Sequence, residues 1–159
     1  MQETPRNVTI RSSTIDDADA IGIMVDEFRA YLHALGDVDA CVNFGREQYR
    51  RDGFGDDPAF EGLIAEEGKQ AVGYALYAFD YSTDTGRRGL FLHDLFVRST
   101  HRGMGIGEAL MERLSVICKD AGGEAMSWLV WHTNESAIRF YEKLGARTVD
   151  KVRLMRMNM

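Results

Sequence analysis

The stretch Arg102-Gly103-Met104-Gly105-Ile106-Gly107 combines residue types and spacing that suit the capture of an anion. Its three alternate glycines have no Cβ, so the backbone can approach a ligand closely and turn N–H groups toward negative charge. A helix starting near Gly105 adds unpaired N–H groups and the positive end of its dipole, and Arg102 adds a full charge at the rim. Together these make a phosphate cradle. An ordinary glycine-rich turn with a solvated arginine has the same short signature, so the stretch alone leaves both readings open. Just upstream, His93 and Asp94 interrupt an apolar run. Imidazole titrates near neutral pH and can take a proton, although a structural hydrogen bond is the other common use of a strand histidine.

These groups need a strand to deliver them and a helix to follow. Residues 89–97 form an apolar strand that feeds the glycine turn directly. Ile106, Ala109, Leu110, Leu114 and Ile117 then trace one face of a helix ending near Gly122-Gly123, and residues 125–131 read as a buried strand. The order makes a β-α-β crossover with the two strands as parallel neighbours. Upstream, residues 8–11 alternate as a half-buried strand. A helix capped by Thr14 or Asp16 then carries Ile21, Met24, Val25, Phe28, Tyr31, Leu32 and Leu35 on one face to a stop near Gly36. Residues 43–51 suit a short helix. The breakers of residues 53–58 predict a loop, in which Phe54 either overhangs a pocket or anchors the loop. Residues 61–66 and 71–81 predict a hairpin turning at 67–70. Residues 134–146 predict a helix capped by Thr133 or Asn134 and stopped at Gly145, and residues 147–157 alternate enough for one or two closing strands.

The length of 159 residues, 45% of them hydrophobic, suits one domain spanning 1–159. Nineteen basic against 25 acidic residues, a formal charge of −6, argue against a nucleic-acid surface and are compatible with small cationic substrates. Cys41 and Cys118 stand far apart in no metal-ligand spacing, so no metal is expected and free thiols in a reducing compartment are the simplest reading. Residues 1–6 show no apolar signal segment and no apolar run reaches membrane-spanning length, which predicts a cytoplasmic protein without a membrane partner.

The glycine signature after a strand, followed by Asn134 and Tyr141 on the next helix, resembles the GNAT superfamily of acyl-coenzyme A-dependent N-acetyltransferases. Within it the chain is most similar to the spermidine/spermine and related diamine acetyltransferases, through Asp52-Gly53-Phe54-Gly55, Gly73-Tyr74-Ala75-Leu76-Tyr77, Asp94-Leu95-Phe96-Val97 and Phe140-Tyr141. The resemblance covers nearly the whole chain. It implies an α/β fold: a twisted, mixed sheet of six or seven strands with helices on both faces, its fourth and fifth strands splayed apart. It also implies acetyl-coenzyme A as cosubstrate and a homodimer.

By the same resemblance, Arg102, Gly103, Met104, Gly105, Ile106 and Gly107 hold the pyrophosphate. Backbone groups of Leu95, Phe96 and Val97 align the pantetheine and polarise the thioester carbonyl. Asn134 and Ser136 join the cofactor site, with Asn134 also capping its helix. Tyr141 matches the tyrosine near the leaving sulfur, where a phenol of pKa near 10 keeps a proton to donate; packing beside Phe140 is its alternative use. His93 stands where the polyamine enzymes have a substrate-facing glutamate and is the candidate general base. Leu32 replaces a second glutamate, directly after the tyrosine matched by Tyr31.

With both glutamates replaced, a long polycation loses two anionic grips. A small primary amine, an amino acid or an amino-acid-like compound fits better, and Arg87 or Arg88 could meet a carboxylate or simply lie solvated at a turn. Neither cysteine has a visible base partner, so direct transfer in a ternary complex is expected over an acyl-cysteine route. Acetylation of a protein lysine or N-terminal amine, and a non-catalytic acyl-coenzyme A sensor, are the alternatives.

Overall fold

The structure is a computed structural model that describes residues 7–159. Residues 1–6, on which the expectation of no signal segment rests, lie outside the described residues. The chain forms two compact units, one running to Leu129 and the other Val130–Met159.

The first unit is built on a five-stranded sheet in the order β1 (Val8–Ser12), β2 (Glu61–Glu67), β3 (Gln70–Ser82), β4 (Arg87–Val97) and β5 (Ala125–Trp128). The first three pairings are antiparallel and β4–β5 is parallel, as the crossover predicts. The β2–β3 hairpin turns at Gly68, whose φ of +64° requires a residue without a Cβ penalty. Helices cover both faces. On one, α1 (Ala18–Ala34) and α2 (Arg46–Asp52) bury Ile21, Met24, Val25 and Tyr49 against Ile64, Tyr74, Leu76 and Phe96. The other is packed by α3 (Ile106–Asp120), which buries Ile106, Leu110, Met111, Leu114 and Cys118.

Local signals set the ends of these elements. Asp17, at the start of α1, accepts 2.7 Å hydrogen bonds from the Thr14 N–H and the Arg11 guanidinium, which also pairs with Glu66 at 2.6 Å. One arginine thus ties β1, the entry to α1 and β2. Phe54 is a loop anchor: its ring packs edge-on against buried Tyr49 at 5.2 Å. Among the described residues, no helix is long and apolar enough to cross a membrane.

The second unit holds α4 (Glu135–Lys143). Asn134 caps it by accepting a 3.2 Å hydrogen bond from the Ala137 N–H, and Gly145, at φ +89°, ends it.

Two expectations at the C-terminal end need correction. The strand predicted over 125–131 stops at Trp128 and is half-exposed, and among the described residues β4 is its one ladder partner; beyond it, Leu129 is exposed and Trp131 closes the turn into α4. Residues 147–159 form no strand and lie exposed. Alternation makes a segment fit for a sheet but does not provide its ladder partner. The described sheet therefore has five strands, not six or seven.

Candidate active site

The glycine turn is shaped by two left-handed residues. After a 3-10 turn over Ser99–His101, Gly103 adopts φ +74° and Gly105 φ +79°, conformations that disfavour any side chain. Nothing lies within 4 Å of where a Gly103 Cβ would stand, so backbone conformation, and not crowding, demands glycine there. Gly105 is the N-cap of α3 and has no side chain with which to occupy the first-turn N–H groups. Gly107, by contrast, is already helical in that first turn. Two left-handed glycines, Gly103 exposed and Gly105 buried at the cap of a 15-residue helix, leave a main-chain turn that fits a pyrophosphate. Arg102 is less free than a solvated rim charge: its Nε donates to the Val97 carbonyl at 2.9 Å, and its guanidinium lies 4.7 Å from the Tyr31 ring centroid and 5.6 Å from that of Phe96.

β4 leads into this turn with one edge open. Its ladder with β5 ends at Leu92–Trp128, while its ladder with β3 continues to Val97. Residues 93–97, including Leu95, Phe96 and Val97, therefore have no β5 partner. The parallel pairing stops where β5 itself ends, at Trp128, so this half of β4 lies beyond the β4–β5 ladder.

The opening begins at a bulge. Leu92 pairs with Tyr77 and Asp94 with Leu76, leaving His93 as the extra residue on β4. Cross-strand partners share a face, so the bulge changes which face the even-numbered side chains take. Leu92 follows Tyr77, whose hydroxyl feels Arg113 of α3; Asp94 follows Leu76, which packs with α1 and α2. His93 is exposed at the bulge, its ring edge-on to Phe91 at 5.2 Å, and partial burial lowers its pKa from 6.5. A neutral imidazole beside an open strand edge can accept a proton.

Asp94 is the functional candidate that sequence reasoning passed over. The residue as a whole is half-buried, yet its carboxyl is enclosed, and desolvation pushes its pKa up to about 6 despite a 3.4 Å hydrogen bond from the buried Tyr74 hydroxyl. The available signal was a carboxylate two residues before core Phe96. Cys41 lies in the field of Asp94; burial first, then that carboxylate, pushes the thiol up to about 12, which makes it a poor nucleophile. Cys118 is buried, and burial raises its pKa too. Among the described residues, no group of His, Cys, Asp or Glu is placed to hold a metal ion.

Asn134, Ser136 and Tyr141 belong to the second unit. Asn134 is buried and caps α4, Ser136 is exposed in the first turn, and Tyr141 is half-buried with its ring 5.1 Å from that of Phe140. Leu32 is buried in α1. Arg87 is paired with Glu124 at 2.8 Å, and the Arg88 carbonyl accepts from the Glu124 N–H, both at the opposite end of β4 from the cradle. The Arg87 guanidinium thus already has its carboxylate.

Comparisons with known proteins give the family and the fold. The model of the acetyltransferase (GNAT) family matches residues 23–146. A thialysine N-epsilon-acetyltransferase from Sus scrofa is 36% identical over 149 residues, covering 89% of this chain and 85% of that one. The spermidine/spermine N(1)-acetyltransferase-like protein 1 of Homo sapiens is 41% identical over 103 residues, 60% of this chain but 15% of its own length. Among solved structures, an integron cassette protein from V. cholerae superposes with a TM-score of 0.79 at 23% identity, covering 98% of this chain and 94% of that one, and shares the fold.

Proposed function

The chain belongs to the acetyltransferase (GNAT) family, whose cosubstrate is acetyl-coenzyme A, and we propose that this N-acetyltransferase acetylates the primary amine of a small, amino-acid-like molecule by direct transfer. The observation that carries the reading is the open β4 edge running from His93 into the left-handed glycine turn. The thialysine N-epsilon-acetyltransferases among the relatives support an amino acid acetylated at its side-chain nitrogen, and Leu32 and His93 leave a polyamine without two anionic grips. The family match runs across both compact units, which supports reading 1–159 as one acetyltransferase domain.

Bound acetyl-coenzyme A supplies the activated acetyl group. The α3 N-terminus and the glycine turn hold the pyrophosphate, with Arg102 beside them. The N–H and C=O groups of Leu95, Phe96 and Val97 align the arm and polarise the thioester carbonyl. Asn134 and Ser136 contribute to the same arm. An ammonium group near lysine's pKa is mostly protonated at pH 7, so His93 takes its proton, directly or through water. The freed amine nitrogen bonds to the acetyl carbon as the carbon–sulfur bond breaks, Tyr141 donates its phenolic proton to the departing sulfur, and the nitrogen's remaining excess proton passes through water to the phenolate, leaving a neutral amide and restoring the phenol. Cys41, with its thiol pushed up, is left out of the sequence.

The enzyme works in this reading as a cytoplasmic homodimer, without nucleic-acid or membrane partners. The exposed Val149, Val152, Leu154 and Met155 support self-association. A panel of lysine analogues, other amino acids, diamines, polyamines, aminoglycosides and peptides, read by coenzyme A release, tests the acceptor. Robust turnover of spermidine above every smaller amine would sink the inference from Leu32 and His93. Preference for peptides would make the acceptor a protein amine, and no turnover of any amine would leave a sensor. Tyr141→Phe should lower kcat by about tenfold or more while leaving coenzyme A affinity unchanged; wild-type turnover where chemistry limits the rate would remove Tyr141 from the acid role.

A further inference from the structure

We infer that Tyr31 is a positioning residue for the cofactor cradle, acting through Arg102; the inference rests on the reading of residues 102–107 as a pyrophosphate site. Tyr31 lies on α1, far from the glycine turn in sequence. Its ring nevertheless forms the nearer of two aromatic surfaces under the Arg102 guanidinium, at 4.7 Å, with Phe96 at 5.6 Å. Both distances fall within the range in which a ring face attracts a cation. The third contact, Nε to the Val97 carbonyl at 2.9 Å, fixes the stem of the side chain. All three partners are uncharged, so these contacts hold the guanidinium in place without neutralising it.

The platform is itself anchored. Phe28, one helical turn before Tyr31, packs its ring 5.3 Å from Phe96, and Phe96 lies 6.1 Å from buried Tyr74. Residues three apart share a helix face, so α1 presents Phe28 and Tyr31 together to the end of β4 and the turn beyond it. An arginine that is free in solvent loses rotamer freedom when it grips an anion. One already held on two rings and a carbonyl loses less, which makes its contribution to binding larger.

A double-mutant cycle on the full chain tests this, with coenzyme A binding measured by calorimetry for wild type, Tyr31→Leu, Arg102→Met and the double variant. Tyr31→Leu should weaken coenzyme A binding by about fivefold, Tyr31→Phe should restore it, and in the Arg102→Met background Tyr31→Leu should change nothing further. In turnover assays the same variant should raise KM for acetyl-coenzyme A while kcat holds. Equal losses from Tyr31→Leu in both backgrounds, or no loss in either, would overturn the inference while leaving the cradle intact. Absence of coenzyme A binding by the wild-type chain would overturn the cradle reading and this inference together. Far-UV circular dichroism checks that each variant folds, and Tyr31→Met replaces Tyr31→Leu in the cycle if the latter does not.

Discussion

Residues 89–92 of β4 pair on both sides, with β3 and with β5, whereas residues 94–97 pair with β3 alone and His93 between them is skipped by the ladder. The first half is ordinary sheet interior, and Leu90 and Leu92 are buried in it. In the second half the backbone keeps an open edge, and the residue at the junction, His93, belongs to neither register. The difference shows how a single strand can be scaffold and site at once. One extra residue changes the face of the side chains that follow, and the loss of one neighbour exposes main-chain groups without unravelling the strand. The open half then runs into a turn whose conformation is set by glycine.

Removing the junction imidazole should break the contrast most severely. His93→Gln keeps the bulge and a polar side chain but removes the base, so kcat/KM at neutral pH should fall by about a hundredfold or more. Burial holds His93 below its ordinary value of 6.5, so its neutral form persists into mildly acidic solution and the acid limb of the wild-type profile should lie below that pH. A pH–rate profile of the variant that keeps both its height and its acid limb would assign the proton transfer elsewhere. The next effect lies at the far end of the open half. Gly105→Val forces a β-branched residue into φ +79°, a strain of about 1–3 kcal/mol, and coenzyme A affinity should fall by up to about a hundredfold. Gly107→Ala, at a helical position, should cost far less, and calorimetry on the pair separates backbone conformation from bulk.

The glycine turn was legible because glycine itself encodes left-handed backbone, and the stripe on α3 that follows it is a purely local pattern. The Asn134 cap was legible for the same reason, the parallel β4–β5 pair followed from the strand–helix–strand order, and the helices on both faces came from the family resemblance. The bulge was not. His93 and Asp94 give no composition signal that one will be skipped in the ladder, since register depends on how β3 lies alongside. The Asp94 carboxyl was passed over with it, because which face it takes follows from that register. The same limit explains the C-terminal end, where alternation in residues 147–157 resembles a strand although no described strand pairs with it. It also explains Arg102, whose nearer ring, Tyr31 on α1, is invisible to any local window.

Asp94 offers a test on the enclosed side of the same strand. Its folded pKa is raised from 3.8 to about 6, so its contribution to stability is fully present below the unfolded value and is lost as pH rises through about 6. Asp94→Asn removes the charge that burial penalises. It should therefore be more stable than wild type by about 1–3 kcal/mol at pH 8, with the gap closing toward pH 4. Chemical denaturation at the two pH values reads the difference. If His93 is the base, the acid limb of the rate profile should survive in this variant; its loss would transfer the role to Asp94.

The smallest effect concerns the hydroxyl that partly offsets this burial. Tyr74 donates to Asp94 across 3.4 Å, which favours the ionised carboxylate against desolvation. The bond is long, so its loss should be mild. Tyr74→Phe keeps the ring that packs against Phe96 and deletes only the donor. The Asp94 pKa should then move further upward, readable as a shift of its carboxyl carbon titration by NMR, while coenzyme A affinity stays at the wild-type value because the cradle lies at the other end of the open half. A downward shift would mean that the phenol contributes mainly by excluding water, and that the enclosed face of β4 is more permeable to solvent than its packing indicates.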